Sequence, residues 1–332
     1  MTTSNPSNPT QARRGTFLAE VLSNEALCEE HFLIRLAVPD FPPTRPGQFL
    51  QVQCRLPTEQ VLAREIRWPR NRPPRLTQPE LADKEPFLRR PFSLAGRRDL
   101  PAHRRRKGRA GLRTELDIIY RTIGTGTRWL SGVKVGGRIG ILGPLGNGFA
   151  VRDDKPLAAL VGGGVGIPPM IYLAEALAKA DRNVLAFNGV RTASLLPLKL
   201  TSDRPCPAGR GTLCVEEFAR HNVESVVATD DGSLGFRGLV SEAFERWLSD
   251  AQVAPADLAV YACGPEAMMR AVGKTCVARG IDCQLALERH MACGMGTCQS
   301  CVCKIRDANE RGWSFKLVCA DGPVFDARDV MW

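Results

Sequence analysis

Residues 157–170 read LAALVGGGVGIPPM, and this stretch decides the architecture of the middle of the chain. Leu157 to Val161 is an unbroken apolar run, as expected of a strand buried on both faces. Gly162 to Gly166 break the run. Pro168 then opens an apolar-periodic segment, Pro168 to Ala180, that predicts a helix beginning with proline in its first turn. Working outward, Asn183 to Phe187 and Val223 to Thr229 predict further strands, Glu242 to Leu248 a helix, Leu258 to Ala262 a strand and Glu266 to Ala278 a helix. Strand and helix alternating over about 125 residues predict a parallel α/β sheet.

Upstream the style differs. Thr16 to Val21, His31 to Val38, Gln48 to Val52, Phe87 to Ala95, Glu115 to Ile123 and Arg138 to Leu142 are short runs bounded by Pro, Gly, Asn or Asp. They predict the strands of a small antiparallel β-barrel or sandwich. Between them, Arg55 to Glu85 and Arg97 to Arg109 lack periodicity and read as inserted, solvated loops. The 332 residues carry a net charge of +10, with 45 Lys and Arg against 35 Asp and Glu. Residues 55–109 hold 16 basic and 6 acidic residues, which accounts for the whole excess. A uniformly basic, nucleic-acid-coating protein is therefore excluded, and 44% apolar content excludes a largely disordered chain. No run approaches the roughly 18 apolar residues of a membrane helix. The N-terminus lacks the apolar core of a secretory signal, so a cytoplasmic location is expected.

Beyond Cys283 the chain becomes rich in Gly and Cys, and five of its twelve cysteines fall between Cys293 and Cys319. Cys293-Gly294-Met295-Gly296-Thr297-Cys298-Gln299-Ser300-Cys301, followed by Cys319, has the C-x4-C-x2-C…C spacing of plant-type 2Fe-2S ligands. Glycines in the first gap let the backbone curl and turn its amides toward sulfur. A structural zinc site competes with this, although zinc ligands usually come as two C-x2-C pairs and only one is present. Cys303 is expected to pack in a strand.

Three further segments carry chemistry. Gly163, Gly164 and Gly166 lie between a predicted strand and a predicted helix, where backbone amides can approach a pyrophosphate; close packing is the other use of such glycines. The G-x-G-x-x-G fingerprint is absent. Cys263-Gly264-Pro265 ends a strand in the same α/β region, where ligands of open parallel sheets bind. Arg90-Pro91-Phe92-Ser93 stands in the β region, with an arginine able to neutralise a phosphate and a serine able to donate to a flavin.

In this order the segments resemble the ferredoxin-NADP reductase-like superfamily and, within it, the electron-transfer subunits of dihydroorotate dehydrogenase B. Arg90 to Ser93 is similar to the flavin motif. Leu160 to Met170 and Cys263 to Pro265 are similar to the nicotinamide motifs, and Leu287 to Cys298 to the start of the cluster segment. Tyr120 to Thr127 and Gly143 to Phe149 also match. The resemblance implies an α+β multidomain chain: an N-terminal antiparallel FAD-binding β-barrel over 15–150 with insertions at 55–86 and 97–110, a parallel-sheet NAD-binding α/β domain over 155–282, and a small 2Fe-2S module over 283–332. It implies FAD at Arg90, Pro91, Phe92 and Ser93, with Gly124, Thr125, Gly126 and Thr127 at its pyrophosphate. NAD would lie at Gly163, Gly164 and Gly166, with Cys263, Gly264 and Pro265 near the nicotinamide and Gly189 and Arg191 near the adenosine. Cys293, Cys298, Cys301 and Cys319 would hold the cluster, and Glu288, Arg289 and His290 would flank it.

The implied function is electron transfer between a partner dehydrogenase and NAD, in dihydroorotate oxidation for pyrimidine biosynthesis. The implied partner is an FMN-containing catalytic subunit in a two-by-two complex, with neither nucleic acid nor membrane involved. A reductase subunit of the same build serving an oxygenase, hydrogenase or sulfite reductase is the alternative, and a cluster-binding regulator without turnover is another. With only four histidines and no nucleophile elbow, no catalytic acid–base set is expected.

Overall fold

The computed structural model describes residues 14–55, 66–67, 71, 75–76, 88–101 and 112–332. The strands β1 (Gly15–Cys28), β2 (His31–Pro39), β3 (Phe49–Val52), β4 (Ile66–Arg67), β5 (Arg75–Leu76), β6 (Arg90–Ser93), β7 (Gly96–Pro101) and β8 (Leu112–Arg121) are followed by helix α1 (Thr125–Ser131) and strand β9 (Arg138–Leu145). β4 and β5 pair with each other. The other seven form an antiparallel sheet in the order β6-β3-β9-β1-β2-β8-β7. Its two edges, β6 and β7, are separated in sequence only by Leu94 and Ala95, which can span about 7 Å. The sheet must therefore roll until its edges meet. Leu94 N–H donates to the Gln48 carbonyl at 3.2 Å and Ala95 N–H to the Asp117 carbonyl at 2.8 Å, so the linker bridges both sides of the seam.

Inside the roll, Ile34, Leu36, Leu50, Val52, Leu116, Ile118, Tyr120, Ile139 and Ile141 are at most 1% exposed. Full burial of each such side chain contributes about 1.5–3 kcal/mol. The loop expected from Arg97 onward begins later: residues 97–101 belong to β7. Its arginines meet acids rather than water, Arg97 pairing with Asp99 at 2.9 Å and Arg98 with Asp117 of β8 at 3.1 Å. Phe87, most of the insertion expected over 55–86 and residues 102–111 lie outside the described residues.

The second sheet is built from β10 (Leu157–Gly163), β11 (Asn183–Val190), β12 (Glu224–Thr229), β13 (Phe236–Arg237), β14 (Leu258–Cys263) and β15 (Asp282–Ala286). Helices α2 (Ile167–Lys179), α3 (Glu216–Ala219), α4 (Val240–Asp250) and α5 (Glu266–Ala278) cover it. Four strands follow: β16 (Val302–Arg306), β17 (Trp313–Leu317), β18 (Val324–Asp326) and β19 (Val330–Met331). The sheet order is β13-β12-β11-β10-β14-β15-β18, parallel except for β18, while β17-β16-β19 form a separate small sheet. As the apolar run required, Ala159 and Val161 of β10 face one core and Ala158 and Leu160 the other.

The boundary expected at 282 falls at the first residue of β15, and the sheet runs on into the C-terminal segment through β18. The module is thus built into its neighbours. One apolar core joins Phe49 and Leu145 of the barrel, Val161, Phe187 and Phe244 of the α/β layer, and Cys301, Val318 and Cys319 of the tail.

Candidate functional site

β6 presents Arg90, Pro91, Phe92 and Ser93, all half-buried, beside the start of α1. The helix is tied down at its far end: Tyr120 Oη donates to Asn24 Oδ1 at 3.0 Å, and Asn24 Nδ2 donates to the carbonyls of Leu130 at 2.9 Å and Val133 at 3.1 Å. The Phe92 ring meets Tyr120 edge-on at 5.8 Å. At the near end Thr127 Oγ1 accepts from the amides of Ile123 and Gly124 at 3.0 and 3.1 Å, which fixes the turn. A Cβ on Gly126 would stand 3.3 Å from Arg90 Cγ, so the arginine crosses the first turn of α1, while above Gly124 the space is open. Arg90 and Gly124 to Thr127, distant in sequence, thereby form one surface with a fixed positive charge and unsatisfied helix amides, which suits a pyrophosphate. Burial pushes the thiol of neighbouring Cys54 up to about 11.

The second constellation sits at the carboxyl ends of β10 and β14, which are parallel neighbours with Gly162 opposite Cys263. A Cβ on Gly163 would lie 2.7 Å from Met268 Sδ and 2.9 Å from Pro265 Cδ, and one on Gly166 would overlap the Cys263 carbonyl. These glycines bring the two turns into contact. Gly164, at φ +52°, has open space around it, and α2 begins without a side-chain cap or an acid in its first turn. The positive end of its dipole is thus unopposed. Packing and ligand approach, alternatives in the sequence, are divided among the glycines here. Gly189 is explained by packing: its Cβ would stand 2.5 Å from Val240 Cβ of α4. Arg191 is exposed. Burial, with the Glu288 charge, pushes the Cys263 thiol up to about 12 and keeps it neutral.

The four tail cysteines come as two pairs. Cys293 Sγ accepts from the amides of Met295 and Cys298, both at 3.4 Å, and Cys301 Sγ accepts from the Cys319 amide at 3.4 Å. Gly294 and Gly296 hold φ +72° and +95°, conformations that side chains resist. Among the described residues no three His, Cys, Asp or Glu side chains converge on one point. Two thiol pairs, three of the thiols on the glycine loop and the fourth, Cys319, just beyond β17, fit a binuclear cluster, in which each iron takes two thiolates. Cys301 and Cys319 are buried and Cys298 is exposed, so the loop has an inner and an outer side. Cys303 lies in β16 and packs in the core, as expected. Arg289 pairs with Glu266 at 2.8 Å, tying the approach to Cys293 to the start of α5.

Gly143 to Phe149 has a role that local pattern did not reveal. Asn147 Nδ2 donates to the carbonyls of Asp321 at 3.1 Å and Val324 at 2.9 Å, and its Oδ1 accepts the Val324 amide at 2.9 Å. A Cβ on Gly146 would lie 2.9 Å from the Gly322 carbonyl. This loop is the clamp that seats the cysteine module against the barrel.

Comparison with known proteins agrees with this geometry. Residues 288–331 match the family of the iron-sulfur cluster binding domain of dihydroorotate dehydrogenase B, and residues 160–274 match the oxidoreductase NAD-binding domain. The chain is 32% identical over 314 residues to the electron transfer subunit of dihydroorotate dehydrogenase B (NAD(+)) of Caldanaerobacter subterraneus subsp. tengcongensis, covering 95% of this chain and 98% of that one. It is 36% identical over 254 residues to the same subunit of Geobacillus kaustophilus, covering 75% and 82%. In fold it is similar to an NADH-dependent reduced ferredoxin-NADP oxidoreductase, with a TM-score of 0.65 and 24% identity over 96% of this chain and 91% of that one. The fold, the paired thiols and the relatives converge: the chain belongs to the family of dihydroorotate dehydrogenase B electron transfer subunits, oxidoreductase components that work with a catalytic partner.

Proposed function

We propose that this chain relays electrons between an FMN-containing, dihydroorotate-oxidising partner and NAD, through a 2Fe-2S cluster and FAD held on its own surface, in a two-by-two complex. Supplied with these groups, the chain would join one-electron cluster chemistry to two-electron hydride chemistry, because a flavin accepts either.

The protein's share is binding and placement. Arg90 and the first turn of α1, Gly124 to Thr127, would face the FAD pyrophosphate, with the amides of Thr125 to Thr127 as donors and Pro91, Phe92 and Ser93 along the flavin. Gly164 and the start of α2 would receive the NAD pyrophosphate, Gly163 and Gly166 shaping the turn. Cys263, Gly264 and Pro265 would border the nicotinamide, the neutral thiol adding no charge there. Cys293, Cys298, Cys301 and Cys319 would ligate the cluster. All twelve cysteines are free, which suits a reducing, cytoplasmic setting.

The observation that carries this reading is the arrangement of thiols in two pairs on a module clamped to the barrel by Asn147. Cys298→Ser tests it. Dihydroorotate-dependent NAD reduction by the reconstituted complex is expected to stop, while NADH still reduces an artificial dye through the flavin. Equal loss of both activities contradicts the order of carriers.

A further inference from the structure

Three glutamines are buried among the described residues: Gln48, Gln51 and Gln284. Two are fully engaged. Gln48 Oε1 accepts the Arg45 amide at 2.9 Å and its Nε2 donates to the Gly146 carbonyl at 2.9 Å. Gln284 exchanges both bonds with Ala150, at 2.9 and 2.8 Å. Gln51, at 0% exposure, has no partner on either Nε2 or Oε1. Leaving such a group unsatisfied costs about 1–3 kcal/mol, which an apolar residue at the same place would avoid.

The position of the amide indicates what it awaits. Leu50 and Val52 of β3 point into the barrel, so Phe49 and Gln51 point out of it, toward the core that holds Cys301 and Cys319. A Cβ on Gly294 would lie 2.5 Å from Gln51 Cγ and 2.8 Å from its Cδ, so the side chain is pressed against the backbone between Cys293 and Cys298. Across the sheet Gln51 stands opposite Pro91 of β6. Gln51 thus joins β3, the neighbour of the Arg90–Ser93 strand, to the cysteine loop. Met295 and Cys298 already turn their amides to Cys293 Sγ, so the acceptors that this loop gathers are sulfurs.

We propose that the Gln51 amide N–H donates to a sulfur of the 2Fe-2S cluster, making Gln51 a positioning residue that sets the cluster's reduction potential. This rests on the assignment of the four cysteines as ligands. A donor to sulfur stabilises the added negative charge of the reduced cluster, so its loss lowers the potential.

The test is a redox titration of the cluster in the native complex, followed by electron paramagnetic resonance, for wild type, Gln51→Leu, Gln51→Met and Gln53→Leu. Gln51→Leu is expected to disfavour reduction about tenfold, ~59 mV for a one-electron couple. Gln51→Met, which keeps the length and removes the donor, is expected to shift it as far, and Gln53→Leu, one residue beyond β3, less than twofold. Full cluster occupancy with an unshifted potential in both Gln51 variants overturns the proposal and leaves the ligand assignment standing. A wild-type complex without a cluster overturns the assignment beneath it. If neither Gln51 variant retains the cluster, side-chain 15N-glutamine labelling of the Gln299→Ala protein decides. A nitrogen coupling to the reduced cluster supports the donor, and none overturns it.

Discussion

Gly166→Ala isolates the contact between the two turns at the carboxyl ends of β10 and β14. The backbone at Gly166 has φ −84°, which alanine adopts freely, so the effect is steric alone. A Cβ there would overlap the Cys263 carbonyl and stand 2.5 Å from Gly264 N. Both obstacles are main chain at the end of β14, so relief requires the start of α2 to move away from Cys263 to Pro265. Overpacking of this kind costs about 1–3 kcal/mol. Drawn from binding, that weakens NADH about 5- to 150-fold, at 1.4 kcal/mol per decade. The contrast is Gly164→Ala, which has open space but adopts φ +52°, at a strain of about 1–2 kcal/mol. The assay is NADH affinity from fluorescence titration together with KM in dye reduction, with FAD content and the urea midpoint measured on the same samples. Gly166→Ala is expected to retain FAD and lose NADH affinity. A folded Gly166→Ala protein that binds NADH within twofold of wild type refutes the reasoning.

Asn147→Ala should leave the Val324 amide and two carbonyls unpaired, costing about 1–3 kcal/mol; faster hydrogen exchange across residues 302–326 and a lower urea midpoint are the expected signs, and unchanged exchange contradicts the clamp. Arg90→Ala removes a charged donor worth about 1.5–3 kcal/mol and should weaken FAD retention about 10- to 150-fold, measured by flavin released on gel filtration. Cys206 accepts hydrogen bonds from Ala208 and Arg210 that lower its pKa, whereas burial holds Cys263 up at about 12. At pH 8 iodoacetamide should therefore modify Cys206 well before Cys263, read by peptide mass. Because the folded pKa of Cys263 is raised above its ordinary value of 9.0, the stability it confers is complete below pH 9 and lost as pH rises toward 12; the fall in urea midpoint across that window should be smaller in Cys263→Ala than in wild type, and an equal fall contradicts the shift.

Much of this molecule was legible as local pattern. The alternation around Leu157 to Met170 specified β10 and α2 within a residue or two, because apolar period and Gly-Pro punctuation are local properties. The cysteine spacing likewise marked a glycine-shaped loop that carries three of the four proposed ligands, since the glycines lie between Cys293 and Cys298. What escaped depends on contacts far apart in sequence. β15 and β18 are short, and only their pairing makes them strands. Residues 97–101 read as a solvated basic run because the counter-charges of Arg98, Glu115 and Asp117, sit on another strand. Gln51 is indistinguishable in sequence from the engaged Gln48, and its missing partners emerge only when β3 meets the loop at Gly294. Gly189 illustrates the converse: a glycine beside a predicted ligand site that α4 requires for packing.

The most direct test is chemical analysis of the protein purified anaerobically with its native partner, for iron, acid-labile sulfide, zinc and flavin per chain. Two irons, two sulfides and one FAD, with a visible spectrum bleached by NADH, are the expected result. One zinc without labile sulfide, or a full cluster without flavin in the intact complex, contradicts the account.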